Sequence, residues 1–264
     1  INEFNIDIWK SGSGQVSVDG SNFKSREGDD INPSKMTITG AGGNSYTLTT
    51  GGVKLKSPNS FVIDLNEDDQ LQLAGLLNKN GKKSSDGTFY NLNLGSGWNP
   101  GSSSSQSKSN ISINVSGVAK PTLTSATYND SNGVLTLTGE RFAAYPGKNN
   151  DIDVSKITII CGLDNTYTLS SDDVDVRSST SAKFYLNRTD QSNLDSLLNN
   201  NGGTSLQGKI YNISAENGWI RSSDSTENNE DLNNNPITVE GIIALTTPSK
   251  DKEPISSVRM LCPG

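Results

Sequence analysis

The sequence contains no histidine and few of the residues that build thick hydrophobic cores. Among its 264 residues there are 0 His, which excludes a Ser-His-Asp triad and removes the commonest metal ligand. Hydrophobic residues make up only 31%. No apolar run approaches the roughly 20 residues that a membrane-spanning helix needs. A thin core of this kind is typical of a β-sandwich, in which two sheets share one layer of side chains.

Basic residues and cysteines are also scarce. The chain has 22 Lys and Arg against 29 Asp and Glu, a formal charge of −7, so we expect no nucleic-acid partner. Its two cysteines, Cys161 and Cys262, are too few for a disulfide scaffold, and their spacing leaves open whether they are bridged. The chain starts at Ile1 without a basic segment followed by an apolar stretch. We interpret it as a processed chain or a piece of a larger one.

The chain repeats itself at an offset of about 120 positions, with small slips in loops. Several blocks recur in the same order, which chance does not explain. The matching blocks in the first and second copy are 13–23 and 132–142, 30–38 and 151–159, 44–48 and 165–169, 76–81 and 197–202, and 97–98 and 218–219.

We therefore predict two tandem domains, residues 1–119 (repeat one) and 120–242 (repeat two). Residues 252–258 resemble 119–125, the opening of repeat two. The tail, residues 243–264, is thus predicted to be a strand donated to another subunit or the start of a third repeat.

Within each copy, apolar residues alternate with polar ones over short runs, the period of a half-buried strand. Runs such as Val16 to Val18 and Phe61 to Ile63 are separated by Gly, Asn, Asp and Ser, which form turns. Seven or eight such strands in each copy predict an antiparallel sandwich.

One segment in each copy breaks this alternation and predicts a short helix. In repeat one it begins after Asn66, a good N-cap, and is predicted to end at Gly81. Leu73, Leu76 and Leu77 form its apolar stripe. Repeat two has the same segment from 187 to 202. The fold prediction is all-β: two tandem immunoglobulin-like sandwiches, each with one inserted α-helix.

Calcium is the one metal that the composition favours, because Ca²⁺ takes hard oxygen ligands. Asp29 and Asp30 in repeat one, and Asp151 and Asp153 in repeat two, fall at the same place in each copy. We predict these four residues as candidate calcium ligands. Short Asp and Asn clusters also cap turns, and that alternative stays open.

Trp98 and Trp219 also occupy matching positions, each after a glycine. An exposed ring in this position would serve as a platform for sugar stacking. A buried ring would be a core or interdomain anchor, since tryptophan buries a large area.

Residues 121–125, Pro-Thr-Leu-Thr-Ser, lead into a run that ends in Thr138, Gly139 and Phe142. This pattern resembles the opening of an IPT/TIG-type immunoglobulin-like domain. Each whole copy resembles the tandem repeats of large secreted bacterial proteins of the adhesin or haemagglutinin kind. The blocks Asp-Ile-Asp-x-Ser-Lys (151–156) and Leu-Leu-Asn-x-Asn-Gly (197–202) carry that likeness, which covers most of residues 1–242. The helical insert departs from a plain TIG domain.

The resemblance implies an extracellular, cell-surface role. Our functional prediction is a non-enzymatic structural protein, a tandem-repeat segment of a bacterial adhesin, surface layer or filament. It would act as a rigid spacer and self-assembly module, meeting copies of itself or neighbouring repeats through edge strands or the tail. The alternative is a carbohydrate-binding module that holds a surface glycan on Trp98 and Trp219. A hydrolase with paired carboxylates is a third hypothesis.

Overall fold

The computed structural model describes residues 6–10, 14–102, 107–162, 165–232 and 235–243. Over these residues the chain is mostly β-sheet with two α-helices, so the all-β prediction is confirmed at this level. The elements of repeat one are β1 (Ile6–Lys10), β2 (Gln15–Asp19), β3 (Met36–Thr39), β4 (Ser45–Thr47), β5 (Ser60–Asp64), α1 (Glu67–Leu76), β6 (Asn91–Leu94) and β7 (Lys108–Ser116).

The elements of repeat two follow in the same succession. They are β8 (Thr122–Asn129), β9 (Val134–Glu140), β10 (Ile157–Cys161), β11 (Asn165–Thr168), β12 (Ser181–Tyr185), α2 (Arg188–Leu197), β13 (Tyr211–Ala215) and β14 (Ile237–Glu240). Short 3-10 turns, Pro33–Lys35 and Val154–Lys156, precede β3 and β10.

The strand order is the same in both repeats. Repeat one forms β4-β3-β6-β7-β1-β2-β5, and repeat two forms β11-β10-β13 and β14-β8-β9-β12. The first and last strands of each repeat pair in parallel, with Ile8 opposite Val115 and Tyr128 opposite Val239. The other strand pairs are antiparallel.

The two repeats differ where the last strand crosses between sheets. In repeat one β7 pairs with β6 at Ser112 and with β1 from Ile113, so a single strand joins both halves. In repeat two Pro236 stands immediately before β14 and keeps only an isolated bridge to Asn212. Because proline has no backbone N–H to donate, the ladder breaks there and the sheets stay separate.

The alternating residues that predicted strands supply the buried side chains. In repeat one, strands of both halves of the sheet send their side chains into one hydrophobic cluster, which includes Val16, Val18, Ile38, Phe61 and Leu92. A second cluster is built from repeat two, with a single contribution from repeat one, Leu71.

The helix starts were predicted correctly, but their ends were not. The side chain of Asn66 caps α1 by accepting a hydrogen bond from Asp69 N at 2.8 Å. The helix ends at Leu76, not at Gly81, because Leu77 leaves helical geometry. Gly81 instead bridges to Val115 of β7.

The sequence predicted that the tail is a donated strand or the start of a third repeat. Residues 244–264 of this tail lie outside the described part of the chain.

Candidate functional site at the contact between the repeats

Helix α1 packs against both repeats. Leu73, Leu76 and Leu77 face the cluster of repeat one and are at most 3% exposed. Leu71 points the other way and joins the cluster of repeat two. A helix with apolar residues on two faces is buried on both sides, so α1 is a structural link between the repeats.

Gly75 of α1 lies in close contact with the backbone of repeat two. A β-carbon at position 75 would lie 1.8 Å from the carbonyl oxygen of Ala144, so this packing admits only glycine. Ala144 N also donates a hydrogen bond to Leu71 O at 3.3 Å. The backbones of the two repeats therefore touch directly. We call this contact the joint.

Polar groups surround the joint. Asn78 Nδ2 donates to the carbonyl oxygen of Ser222 at 3.0 Å, and both residues are buried. Lys79 Nζ donates to Thr226 Oγ1 at 2.6 Å and lies 3.9 Å from the carboxylate of Asp224. Buried polar groups with partners rigidify an interface, because sliding would leave them unsatisfied.

A cleft of about 620 Å³ lies beside the joint. Its walls are the end of α1, the linker 118–121, residues 140–143 and part of the loop after Trp219. Two ion pairs lie in its lining, Arg141 with Glu140 at 2.8 Å and Lys79 with Asp224 at 3.9 Å.

The corresponding face of α2 is polar and exposed. Leu71 and Gly75 of α1 align with Ser192 and Ser196 of α2, which are both exposed, and Ala74 aligns with the exposed Asp195. The sequence comparison of the two helices contains this signal, but each helix taken alone does not reveal it. The joint was therefore missed at the sequence level.

Each repeat also contains a fully buried carboxylate in its helix. In repeat one this is Asp69, which is 0% exposed. It accepts hydrogen bonds from Tyr46 Oη at 2.9 Å, from Thr49 N and Oγ1 at 2.9 and 2.7 Å, and from Thr50 N and Oγ1 at 2.9 and 2.6 Å. Burial alone raises the pKa of Asp69, but the hydroxyl donors of Thr50 and Thr49 outweigh it and hold the pKa below its ordinary value.

Repeat two reproduces this cage. Asp190 is 0% exposed and accepts from Tyr167 Oη at 2.8 Å, Ser170 Oγ at 2.7 Å and Ser171 Oγ at 2.5 Å. Burial raises its pKa, and again the serine hydroxyls hold it below the ordinary value. The cage ties the helix to the segment after β4 or β11. The recurrence of Asn-x-x-Asp after β5 and β12 could have pointed to it.

The two predicted calcium ligands of repeat one lie in different surroundings, because Asp30 is buried and Asp29 is exposed. Asp30 is 3% exposed and accepts from Arg26 N at 2.7 Å and Leu55 N at 2.9 Å, with Lys54 Nζ 3.8 Å away. The N–H groups of Leu55 and Arg26 hold the pKa of Asp30 below its ordinary value. Asp29 is exposed.

The two predicted calcium ligands of repeat two, Asp151 and Asp153, contact different partners. Asp151 is 2% exposed and accepts from Tyr145 N at 2.5 Å and Val176 N at 2.8 Å. Asp153 lies 3.2 Å from Arg221 in an ion pair. Among the residues that the structure describes, no group of three or more His, Cys, Asp or Glu is placed to hold a metal. Calcium binding stays a prediction.

Trp98 and Trp219, the tryptophans at matching positions of the two repeats, are both buried. Trp98 is 7% exposed and stands edge-on to Phe23, with ring centroids 5.7 Å apart. Trp219 is 0% exposed, stands edge-on to Phe142 at 5.4 Å and donates from Nε1 to Asn229 O at 3.1 Å. Rings packed in this way offer no open face for sugar stacking, and they act as anchors of the core.

No family model matches the sequence, and no curated protein matches it either. The likeness to IPT/TIG-type repeats therefore stays a prediction that depends on the sequence blocks themselves. Neither α1 nor α2, the helices of the described residues, has the length and apolar character to cross a membrane.

Proposed function

We propose that this chain is a structural, extracellular segment of a bacterial cell-surface adhesin, surface layer or filament. It consists of two tandem immunoglobulin-like sandwiches that act as a rigid spacer. We propose no catalytic role and no nucleic-acid partner for it.

The strand order supports the immunoglobulin-like architecture. Both repeats close with a parallel pair between the first and last strands, Ile8 opposite Val115 and Tyr128 opposite Val239. In each repeat, the side chains that point inward from the strands pack into one shared hydrophobic cluster, as they do between the two sheets of a sandwich. Trp98 and Trp219 are buried and serve as anchors of the two cores.

The joint is the single observation that carries the spacer role. Contacts between domains in one chain are commonly polar and permit relative motion. Here the backbone at Gly75 touches that of Ala144, and Leu71 is shared with the second cluster. A joint that combines apolar burial with direct backbone contact resists bending, which is what a spacer needs.

Self-assembly is proposed to use the sheet edges. Strands β5 and β12 lie at one edge of the strand sets, and edge strands present unpaired N–H and C=O groups. Tyr185 on β12 is 74% exposed beside that edge. The proposed partner is another copy of the chain or a neighbouring repeat.

Small-angle X-ray scattering of the two-repeat chain tests this proposal. A rigid spacer predicts that one conformation fits the whole scattering curve at every concentration below the onset of assembly. A curve that requires an ensemble of bent forms would contradict the spacer role. Binding to a glycan array by the same preparation would instead favour the carbohydrate-binding alternative, while protease accessibility on intact producing cells tests the surface location.

A further inference from the structure

The joint has two sides, and a counterpart of each side lies exposed elsewhere in the chain. One side is the face of α1 that carries Leu71 and Gly75, with Ala74 beside them in the wall of the cleft. The other side is the segment of repeat two that contains Ala143 and Ala144. Because the two repeats share one strand order, α2 carries the counterpart of the first side and repeat one carries the counterpart of the second.

Two hydrogen bonds identify the counterpart in repeat one. Arg26 N donates to the buried carboxylate of Asp30 at 2.7 Å, and Tyr145 N donates to the equivalent buried carboxylate of repeat two at 2.5 Å. Residues 24–26 therefore correspond to residues 143–145. Residues 24–26 are exposed, so this copy of the receiving segment has no helix packed on it.

The face of α2 that corresponds to the α1 side of the joint carries a negative charge. It presents Ser192, Asp195 and Ser196, and all three residues are exposed. A second carboxyl group lies next to it, because burial raises the pKa of Asp130 and the charge of Asp195 and a hydrogen bond with it raise that pKa further. A cation placed against Asp195 would relieve this repulsion between like charges.

The receiving segment of repeat one supplies such a cation. Lys24 stands where the joint has Ala143, and Asp195 stands where it has Ala74. These two alanines line the same cleft. If the α2 face meets residues 24–25 of another copy as α1 meets repeat two, a lysine and an aspartate replace the two alanines. Among the described residues, neither Lys24 nor Asp195 takes part in an ion pair.

The serines of α2 also fit a contact between separate copies. Gly75 brings the backbones of the joint into direct contact, and Ser196 in its place requires a slightly wider separation. At that separation the hydroxyl of Ser196 can donate to the carbonyl oxygen of Ser25, the counterpart of the Ala144 carbonyl. A face that stays in solvent until a partner binds is expected to be polar, since non-obligate interfaces are no more apolar than the rest of a protein surface.

We propose that copies of this chain bind one another head to tail, with the polar face of α2 in one copy seated on residues 24–25 of the next. Asp195 pairs with Lys24 across this contact. Each copy has one face of each kind, so the contact is heterologous and continues from copy to copy. The proposal rests on the self-assembly part of the proposed function, and it adds a contact along the chain to the one proposed at the sheet edges.

The test is sedimentation velocity of the full chain at low ionic strength over a range of concentrations. The native chain should form oligomers that added salt weakens. Asp195→Lys and Lys24→Asp each place like charges across the contact, and each should lower the association constant by about fivefold or more. The two variants mixed together, or combined in one chain, should recover association because opposite charges face each other again.

Lys183→Asp is the matched control, because it makes the same change of charge at an exposed position of the edge strand β12. It should leave the association constant unchanged. A native chain that stays monomeric at millimolar concentration would overturn the proposal, and so would charge reversals at 24 and 195 that have no effect. Loss of association in Lys183→Asp alone would also overturn it, and would favour pairing of the sheet edges.

Carbodiimide coupling locates the contact. The reagent activates a carboxyl group, and a lysine amine in contact with that group displaces the reagent and forms an amide. Peptide mapping of the coupled dimer should find Asp195 of one chain joined to Lys24 of another. Dimers whose only coupled lysine is Lys183 would overturn the proposal.

The scattering test of the spacer role is made on the monomer, so its result is separate from this one. A rigid monomer that does not associate would overturn the head-to-tail contact alone. A flexible monomer that associates and responds to the charge swap would contradict the spacer role and support the contact.

Discussion

Lys54 of repeat one and Asp175 of repeat two occupy equivalent positions, each beside the buried carboxylate of its own repeat, Asp30 and Asp151. The residue after each donates its backbone N–H to that carboxylate, Leu55 to Asp30 at 2.9 Å and Val176 to Asp151 at 2.8 Å. Lys54 Nζ lies 3.8 Å from Asp30. In repeat two, burial raises the pKa of Asp151 and the Asp175 charge raises it further. One repeat thus pairs the buried charge with a cation, and the other opposes it with an anion.

The first prediction concerns the pH dependence of the two repeats. Asp30 has a lowered pKa, so its contribution to stability is present above pH 3.8 and is lost as the pH falls through the folded-state pKa. Asp151 has a raised pKa, so its charged form destabilises repeat two at neutral pH. Protonation as the pH falls towards 3.8 relieves that cost. Hydrogen exchange between pH 7 and pH 4 should show repeat two gaining protection relative to repeat one.

The second prediction is that Asp175→Lys stabilises repeat two at pH 7. The substitution removes a like charge and places a cation beside Asp151, but it also removes the hydrogen bond that Asn150 N donates to Asp175 Oδ1 at 3.0 Å. We expect a net gain of at most about 1 kcal/mol. The gain should shrink as the pH falls from 7 towards 3.8, because a carboxyl with a raised pKa takes up its proton earlier in that range than an ordinary one. Lys54→Asp is the reciprocal variant and should lower the melting temperature at pH 7. An equal effect of Asp175→Lys throughout that pH range would show that Asp151 is not the group involved.

The third prediction concerns the carboxylate cages. Asp69→Asn and Asp190→Asn each place an amide NH₂ against hydroxyl and N–H donors, so buried donors lose their acceptor. We expect each to lower the free energy of unfolding of its own repeat by about 2 to 4 kcal/mol in urea titrations. Asp68→Asn, at an exposed position in the first turn of α1, is the control and should change little. A cage variant as stable as that control would contradict the role of the cage.

The fourth prediction is that Gly75→Ser, which gives α1 the residue that α2 has, weakens the joint. The new β-carbon meets the Ala144 carbonyl oxygen, and overpacking of this kind costs about 1 to 3 kcal/mol. Serine has a higher helix propensity than glycine, which offsets at most about 1 kcal/mol of this cost. Exchange at the amide of Ala144 should accelerate. The matched control is Ser196→Gly, which changes the equivalent exposed position and should leave that amide unaffected.

The fifth prediction tests calcium. If the candidate ligands Asp29, Asp30, Asp151 and Asp153 bind it, millimolar Ca²⁺ should raise the melting temperature and a chelator should reverse the change. Asp153→Asn should remove the effect of a site in repeat two. Identical melting curves with Ca²⁺ and with chelator would exclude the hypothesis.

Local sequence rules predicted the strands and the starts of the helices. The alternation of apolar and polar residues around Val16 and Val18 predicts which side chains face inward, and both valines are buried. The predicted N-cap residue, Asn66, caps α1 with its side chain. The helix end was predicted wrongly because Gly81 is a good stop signal, whereas the chain turns earlier at Leu77.

The joint and the cages depend on contacts between distant parts of the chain. Asp69 looks like an ordinary acidic residue of a helix first turn, and nothing local shows that five donors converge on it. Gly75 looks like a weak point in a helix until the carbonyl oxygen of Ala144 is placed against it. Such pairings appear only once the strand order has brought the segments together.

The most direct measurement of the central claim is the distance distribution between spin labels on the two repeats. The labels are placed at the exposed residues Lys24 and Lys183, each replaced by Cys in a chain carrying Cys161→Ala and Cys262→Ser. A rigid joint predicts one narrow distance peak, which Gly75→Ser broadens and Ser196→Gly leaves narrow. A broad distribution in the parent chain, or one that Gly75→Ser does not change, would contradict the account.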